Sequence, residues 1–248
     1  MDTQTLFRSA QVSRTLYAVR CLVAAGTTST YPGLLDFGTL IPSSTGVVRS
    51  DSMIVDVSTN SPGGYNLKLN AANGDNNMNH AILPDVIAPV GDGSTTGIIT
   101  NPVALTANTW GFALPSSQAN LETNGFNNSY SPPEDGPISS SKWAAVPTTA
   151  TTIKTTGTAS PSGDATEVYY AAAADLTIPA GTYTGNVVYT ATLNDVPAPT
   201  ITSVLPAAGS ISGGTTITIT GTNFYADQGA VVQVTVDGNI CTSIWLSL

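Results

Sequence analysis

Gly64-Tyr65-Asn66-Leu67-Lys68-Leu69-Asn70-Ala71 alternates apolar and polar side chains without a break. Tyr65, Leu67, Leu69 and Ala71 fall on one face, and Asn66, Lys68 and Asn70 on the other. That period of two marks a half-buried β-strand. Turn chemistry bounds the run, with Ser61-Pro62-Gly63-Gly64 before it and Asn73-Gly74-Asp75 after it. Such clusters supply the fixed and positive φ values that reverse a chain.

The pattern recurs. In 186–194, Val187, Tyr189, Ala191 and Leu193 share one face, with the β-branched Val188, Thr190 and Thr192 on the other. Trp110, Phe112 and Leu114 form a third stripe, separated by Gly111 and Ala113. Residues 15–23, 51–58, 151–156 and 166–173 read as further strands, and Pro179-Ala180-Gly181 introduces the strand that holds Tyr183. No stretch shows the sustained three-four spacing with caps at both ends that a helix requires. Short strands at this spacing indicate a sandwich or barrel, and the expected fold is all-β, an antiparallel β-sandwich. Two stretches, 74–102 and 116–147, carry few strand signals and read as long Asn/Gly/Pro-rich loops. In the first, the apolar residues of 81–87 are expected to dock the loop on the core.

The totals narrow the function. The chain has 248 residues, 41 % of them hydrophobic, which is enough for a core. Only 9 % are charged, against about 25 % in an average domain. Its polar surface is therefore made of Ser, Thr, Asn and Gly, which suits a protein outside the cell. Seven Lys and Arg against 16 Asp and Glu leave a net charge of -9. Arg8, Arg14, Arg20 and Arg49 all precede residue 50, so no basic cluster exists to neutralise phosphates, and nucleic acid is excluded as a partner. No apolar run reaches the roughly 20 residues of a spanning helix, and no like-charge block forms a membrane-surface patch. The best candidate for such a span, 16–25, is interrupted by Arg20. It reads as a strand in preference to a secretion signal ending at Ala24-Ala25-Gly26, because a charge inside a signal's apolar core is costly. An exported protein is then expected to be a fragment, with its signal and any wall anchor outside this chain.

The clearest boundary is Asp195-Val196-Pro197-Ala198-Pro199, which divides the chain into domains 1–195 and 196–248. The tail begins Pro199-Thr200-Ile201-Thr202-Ser203-Val204-Leu205-Pro206. Ser212-Gly213-Gly214, the Thr-rich run 215–220, Gly221-Thr222-Asn223-Phe224 and the Val-rich run 232–236 follow, and then Cys241. In this order the segment resembles the start of an IPT/TIG domain, an immunoglobulin-like β-sandwich. The resemblance implies a partial domain, without the closing strands and without a second Cys to pair with Cys241. A sandwich of about 50 residues lacking closing strands is marginal alone. Val232, Val234 and Val236 are thus expected to lie at an assembly edge completed by the first domain or a neighbouring copy, or in a loosely ordered tail. In the first domain, 57–67, Asn108-Thr109-Trp110-Gly111-Phe112, Lys142-Trp143-Ala144-Ala145-Val146-Pro147 and 178–187 are similar in order to β-rich modules of large bacterial surface proteins. That resemblance implies a surface role and names no ligand.

Candidate chemistry is sparse. His80 is the only histidine, and no G-x-S-x-G elbow accompanies it, so a solvated loop histidine is expected. Asp75, Asn76, Asn77, Asp85 and Asp92 are candidates for calcium, but none fits a spaced acidic loop, and turn formation explains them more simply. Gly91-Asp92-Gly93-Ser94-Thr95-Thr96-Gly97 resembles a phosphate loop but lacks its Gly-Lys-Ser ending, and reads as a flexible turn. Glu122, Glu134, Asp135 and Glu167 could supply a glycosidase pair only if brought together, and solvated acidic loops are the simpler account. Trp110 and Trp143 are expected in the core; Trp245 is a further aromatic, and Tyr130 is the better exposed candidate for ligand contact. Asn127-Asn128-Ser129 is a formal glycosylation sequon. Cys21 and Cys241 carry no C-x-x-C signature and read as unpaired thiols or one bridge.

The expected protein has no catalytic, cofactor-binding or metal residues. It is a non-catalytic extracellular spacer or adhesin that contacts a host or neighbouring cell surface through glycan or protein, or self-associates. The alternatives are the carbohydrate-binding region of a secreted enzyme, and a fibre or filament subunit completed by strands of neighbouring copies.

Overall fold

A computed structural model describes residues 14–23, 34–59, 61–115, 126, 135–138, 140–194, 200–223, 235–236 and 239–240. Among the described residues every regular element is a β-strand except a single turn of 3-10 helix, Ala72–Gly74, and turns and loops connect them. Eleven strands hydrogen-bond into one continuous sheet that folds over on itself into two packed layers.

The first layer is centred on β13 (Gly181–Leu193). One edge of β13 carries β4 (Tyr65–Ala71) and then β5 (Met78–His80); the other carries β1 (Arg14–Val23), all antiparallel to it. β2 (Leu34–Leu40) lies parallel beyond β1, and β11 (Thr151–Thr155) lies beyond β4. The second layer is centred on β12 (Ser160–Ala174), with β3 (Val47–Thr59) on one edge and β8 (Thr109–Ala113) on the other. β9 (Asp135–Pro137) lies beyond β3, and β6 (Val86–Pro89) runs parallel to β8. The β5–β6 hairpin carries the sheet from one layer to the other. Three short pairs complete the strands: β7 (Val103–Ala104) with β10 (Lys142–Trp143), β14 (Thr200–Leu205) with β15 (Thr218–Thr222), and β16 (Thr235–Val236) with β17 (Asn239–Ile240). The expected antiparallel sandwich is therefore mixed, because β1–β2 and β6–β8 pair in parallel. The expected boundary at 195–199 lies outside the described residues.

Side-chain alternation decides which face turns inward. In β4, Tyr65, Leu67, Leu69 and Ala71 are buried while Asn66, Lys68 and Asn70 are half-exposed, as the pattern predicts. The stripe at Trp110, Phe112 and Leu114 is also buried, but so are Gly111 and Ala113 between its members. The backbone of Ala144 pairs with Phe112 and closes over Gly111, so this strand has no wet face. β12 ends in Tyr170-Ala171-Ala172-Ala173-Ala174, buried throughout, with β3 beside all five and β8 beside the first three. Of the apolar residues at 81–87, Ile87 docks on the core beside Met78 and Val90. Ile82, Leu83 and Val86 are exposed, because the hairpin tip and the strand pleat turn them outward.

The layers meet through aromatic side chains. The hydroxyls of Tyr170 on β12 and Tyr189 on β13 are 2.6 Å apart and fully enclosed. Trp110 stacks on Tyr170 at 6.4 Å, and its Nε1 donates to the Asn76 carbonyl at 2.8 Å. The far rim of that indole presses on β13 at Gly185, where a Cβ would lie 2.7 Å from Cη2. Here glycine serves close approach. Gly185→Ala is expected to lower stability by about 1–3 kcal/mol through overpacking. The readout is the urea midpoint, which falls while its slope holds; an unchanged midpoint would mean that Trp110 does not press on β13.

Candidate functional site

His80 closes β5 and is half-buried against Tyr183, edge to face at 4.9 Å. Its Nδ1 accepts the backbone N–H groups of Ile82 and Leu83 at 3.0 and 2.8 Å. An Nδ1 that accepts two donors leaves the ring proton on Nε2, which sits 3.2 Å from the Ala180 carbonyl. The ring also fills the space over Gly181, where a Cβ would come within 1.9 Å of Nε2. The histidine expected in a solvated loop is thus a structural tie. It holds the hairpin tip to the turn before β13, with both nitrogens engaged by backbone.

The loop at 91–97 shows why its likeness to a phosphate cradle misleads. The amides of Ser94, Thr95 and Thr96 converge at 2.8, 2.7 and 2.8 Å on one oxygen, Oδ1 of Asp92. The Thr95 hydroxyl donates to Oδ2 at 2.5 Å. Three successive N–H groups make an anion nest, and the chain's own carboxylate occupies it. The Thr95 hydroxyl and then the three amides hold the Asp92 carboxyl far below the usual carboxylate range. Bound in this way, with Asn101 donating to the Thr95 carbonyl, the segment is a tied turn and not the flexible one expected.

Three other calcium candidates, Asp75, Asn76 and Asn77, are also engaged within the chain. Asp75 accepts the side-chain amide of Asn79 at 2.7 Å, and the backbone and side-chain N–H groups of Asn77 at 3.1 and 2.9 Å; these bonds hold its carboxyl low. Asn76 donates to the Val146 carbonyl. The donors around Asp75 present nitrogen, where Ca²⁺ would require oxygen. Among the described residues no three His, Cys, Asp or Glu side chains gather around a common point. Of the carboxylates considered for glycoside chemistry, Glu167 accepts the Ser52 hydroxyl at 2.8 Å on the outside of β12. Glu122, Glu134 and the side chain of Asp135 lie outside the described residues, as do Tyr130, Asn127, Val232, Val234, Cys241 and Trp245. Val236 pairs with Asn239 through backbone, and Cys21 stands opposite Tyr183 in register. Trp110 and Trp143 are both core residues at 1 % exposure.

One polar cluster inside the sandwich was not singled out from the sequence. Lys154 on β11 is 3 % exposed. Its Nζ donates to Oδ1 of Asp164 at 2.7 Å and to Oγ1 of Thr166 at 3.1 Å, both on β12 in the opposite layer. The Tyr65 hydroxyl donates to Oδ2 of Asp164 at 2.8 Å. Burial first, and then its bond to Asp164, push the Tyr65 hydroxyl well above the ordinary tyrosine range. A register slip between Thr152 and Lys154 turns both Ile153 and Lys154 inward, so simple alternation does not reveal the lysine. The one available signal was a lysine, one of only seven basic residues, in the middle of a Thr- and Ile-rich strand.

Residues 199–247 match the family model of the IPT/TIG domain. The tail is therefore an immunoglobulin-like module, in the segment where the resemblance was read. Its hairpin pairs Ile201 with Gly221 and Leu205 with Thr218, and the hydroxyls of Thr200 and Thr222 meet at 2.7 Å. No curated protein and no solved structure matches the chain.

Asp92, Asp75 and Asp175 all ionise more readily in the fold. At Asp175 the Thr177 hydroxyl is the largest cause and the Asn108 amide the next. A lowered folded value stabilises the fold above the unfolded carboxylate value of about 3.9, and that contribution is lost as pH falls towards the folded value. Asp92→Asn is expected to flatten the fall in stability below about pH 4, read as urea midpoints over a pH series; an unaltered slope would mean that the nest does not hold the carboxylate. At the alkaline end, burial and then the hydrogen bond to Glu167 push Tyr169 up to about 12. Its contribution is full below the unfolded value of about 10 and is lost as pH rises through the folded value. Ultraviolet titration should show Tyr169→Phe removing one ionisation near that upper value.

Proposed function

We propose that this chain is a non-catalytic surface module of an exported, bacterial protein. It acts as a spacer or adhesin that presents rigid β-modules and their loops to a host or neighbouring cell. The immunoglobulin-like match at 199–247 carries the reading. Three further features support it. The charged fraction is 9 %, the sandwich has an enclosed core, and the groups with most chemical potential, His80 and Asp92, are spent on the chain's own backbone. The test uses the purified chain on intact bacterial and host cells, on a glycan array, and in turnover assays with esters, peptides and glycosides. Cell or glycan binding without turnover is expected, and Tyr130→Ala should weaken it at least tenfold if the second long loop makes the contact. Turnover that disappears in His80→Ala would overturn the non-catalytic reading.

Self-association is a second reading, favoured by one observation. Ile201, Leu205 and Ile211 of the immunoglobulin-like segment are 62 %, 63 % and 106 % exposed, with Val204 at 41 %. Exposed apolar groups beside short strands invite pairing with another chain. Sedimentation should then show concentration-dependent assemblies that Leu205→Lys disperses; a monomer at every concentration would end this reading.

A further inference from the structure

We infer that Lys154 and Asp164 are a covalent cross-linking site, at which the lysine amine and the aspartate carboxyl condense to an amide with loss of one water. The inference stands apart from the surface role proposed above, because it rests on the interior of the sandwich alone.

Three features carry it. Proximity is the first. Nζ is held 2.7 Å from Oδ1, at side-chain exposures of 4 % for the lysine and 27 % for the aspartate. Amine and carboxyl groups held in contact behave as if present at very high local concentration. Orientation is the second. The Thr166 hydroxyl, itself on a residue with no exposure, accepts from Nζ at 3.1 Å and fixes the amine beside the carboxyl. Electrophilic assistance is the third. The Tyr65 hydroxyl donates to the other carboxyl oxygen, Oδ2, at 2.8 Å. A fixed donor on that oxygen stabilises the charge that develops there when the carbonyl carbon is attacked. Burial and the neighbouring carboxylate keep the Tyr65 hydroxyl protonated through the ordinary pH range, so it stays a donor.

The step balances without any co-reactant. A proton passes from Nζ to Oδ1 along their contact, giving a neutral amine and a neutral acid. The Nζ lone pair attacks Cγ and the C–N bond forms, while the carbonyl electrons move onto Oδ2 against the Tyr65 hydroxyl. As they return, the Cγ–Oδ1 bond breaks. Oδ1 leaves as water, carrying its own proton and one from nitrogen. The half-open side of Asp164 gives that water an exit. The product ties β11, the strand at the end of the first layer, to β12 at the centre of the second.

Mass spectrometry of the purified, thiol-reduced full chain tests the proposal. The wild-type chain is expected to weigh one water less than its sequence. Lys154 is the last basic residue of the chain. Trypsin should therefore fail to cut after it in the unfolded protein, leaving 143–248 as one piece that lacks one water. Lys154→Arg keeps the charge and removes the nucleophile, and Asp164→Ala removes the acceptor; each should restore the full mass. Tyr65→Phe should form the bond at least about tenfold more slowly in freshly made protein. A wild-type chain of full mass that trypsin cuts at Lys154 would show an ordinary ion pair and overturn the inference. Loss of water that persists in Lys154→Arg would overturn it too.

Discussion

Two long consecutive strands, β12 and β13, must lie face to face, and the enclosed contact between the Tyr170 and Tyr189 hydroxyls is where they meet. A buried hydroxyl without a partner costs more than a made hydrogen bond returns. Each tyrosine therefore needs the other layer to be in place. Around this contact the rest of the sandwich is fitted. Trp110 stacks on Tyr170, Phe112 leans on it at 6.5 Å, and β13 carries glycine at 185 so that the indole can reach it. The turn that joins the two strands is itself fixed. Asn108 donates to Asp175 and accepts its backbone N–H, and Asp175 accepts from Thr177.

Strands whose pattern follows burial on one face are legible in the sequence alone. β4 begins and ends at the alternating residues, and β13 contains the second alternating run. The legible part stops where a strand is covered on both faces or its pairing slips. Gly111 and Ala113 are buried because β8 is enclosed, and Lys154 is buried because a bulge breaks the period. β2 was missed although Leu35, Phe37 and Leu40 are core residues. Asp36 and Gly38 lie between them, which reads locally as a turn. β5 and β6 were also missed, since strands of three and four residues are too short to show a period.

The candidate sites were harder to read, because sequence shows which groups exist and not what already occupies them. His80 and Asp92 have the side chains that catalysis or ion binding would use. In the fold each is the acceptor for several backbone amides, and that is a local fact of loop geometry. Lys154 is the opposite case. Its chemistry comes from a partner on the facing layer, ten residues along the chain but across the core, and no local pattern announces it.

A chain with so few ionic groups has few ways to fix its loops by surface ion pairs, which contribute little in any case. Here the carboxylates serve as turn acceptors instead. Asp75, Asp92 and Asp175 each gather donors from residues two to four positions away, and Asp175 also from Asn108. Ion-to-amide bonds of this kind are stronger than neutral ones and hold a loop in one shape. The same economy of charge lets one enclosed lysine–aspartate contact matter more. Lys154 sits on the edge strand β11, which pairs through its backbone with β4. An amine enclosed there is tolerable only with the Asp164 carboxyl facing it, before the two condense as after, so the contact fixes which residue of β11 turns inward, and through that the register of β11 on β4.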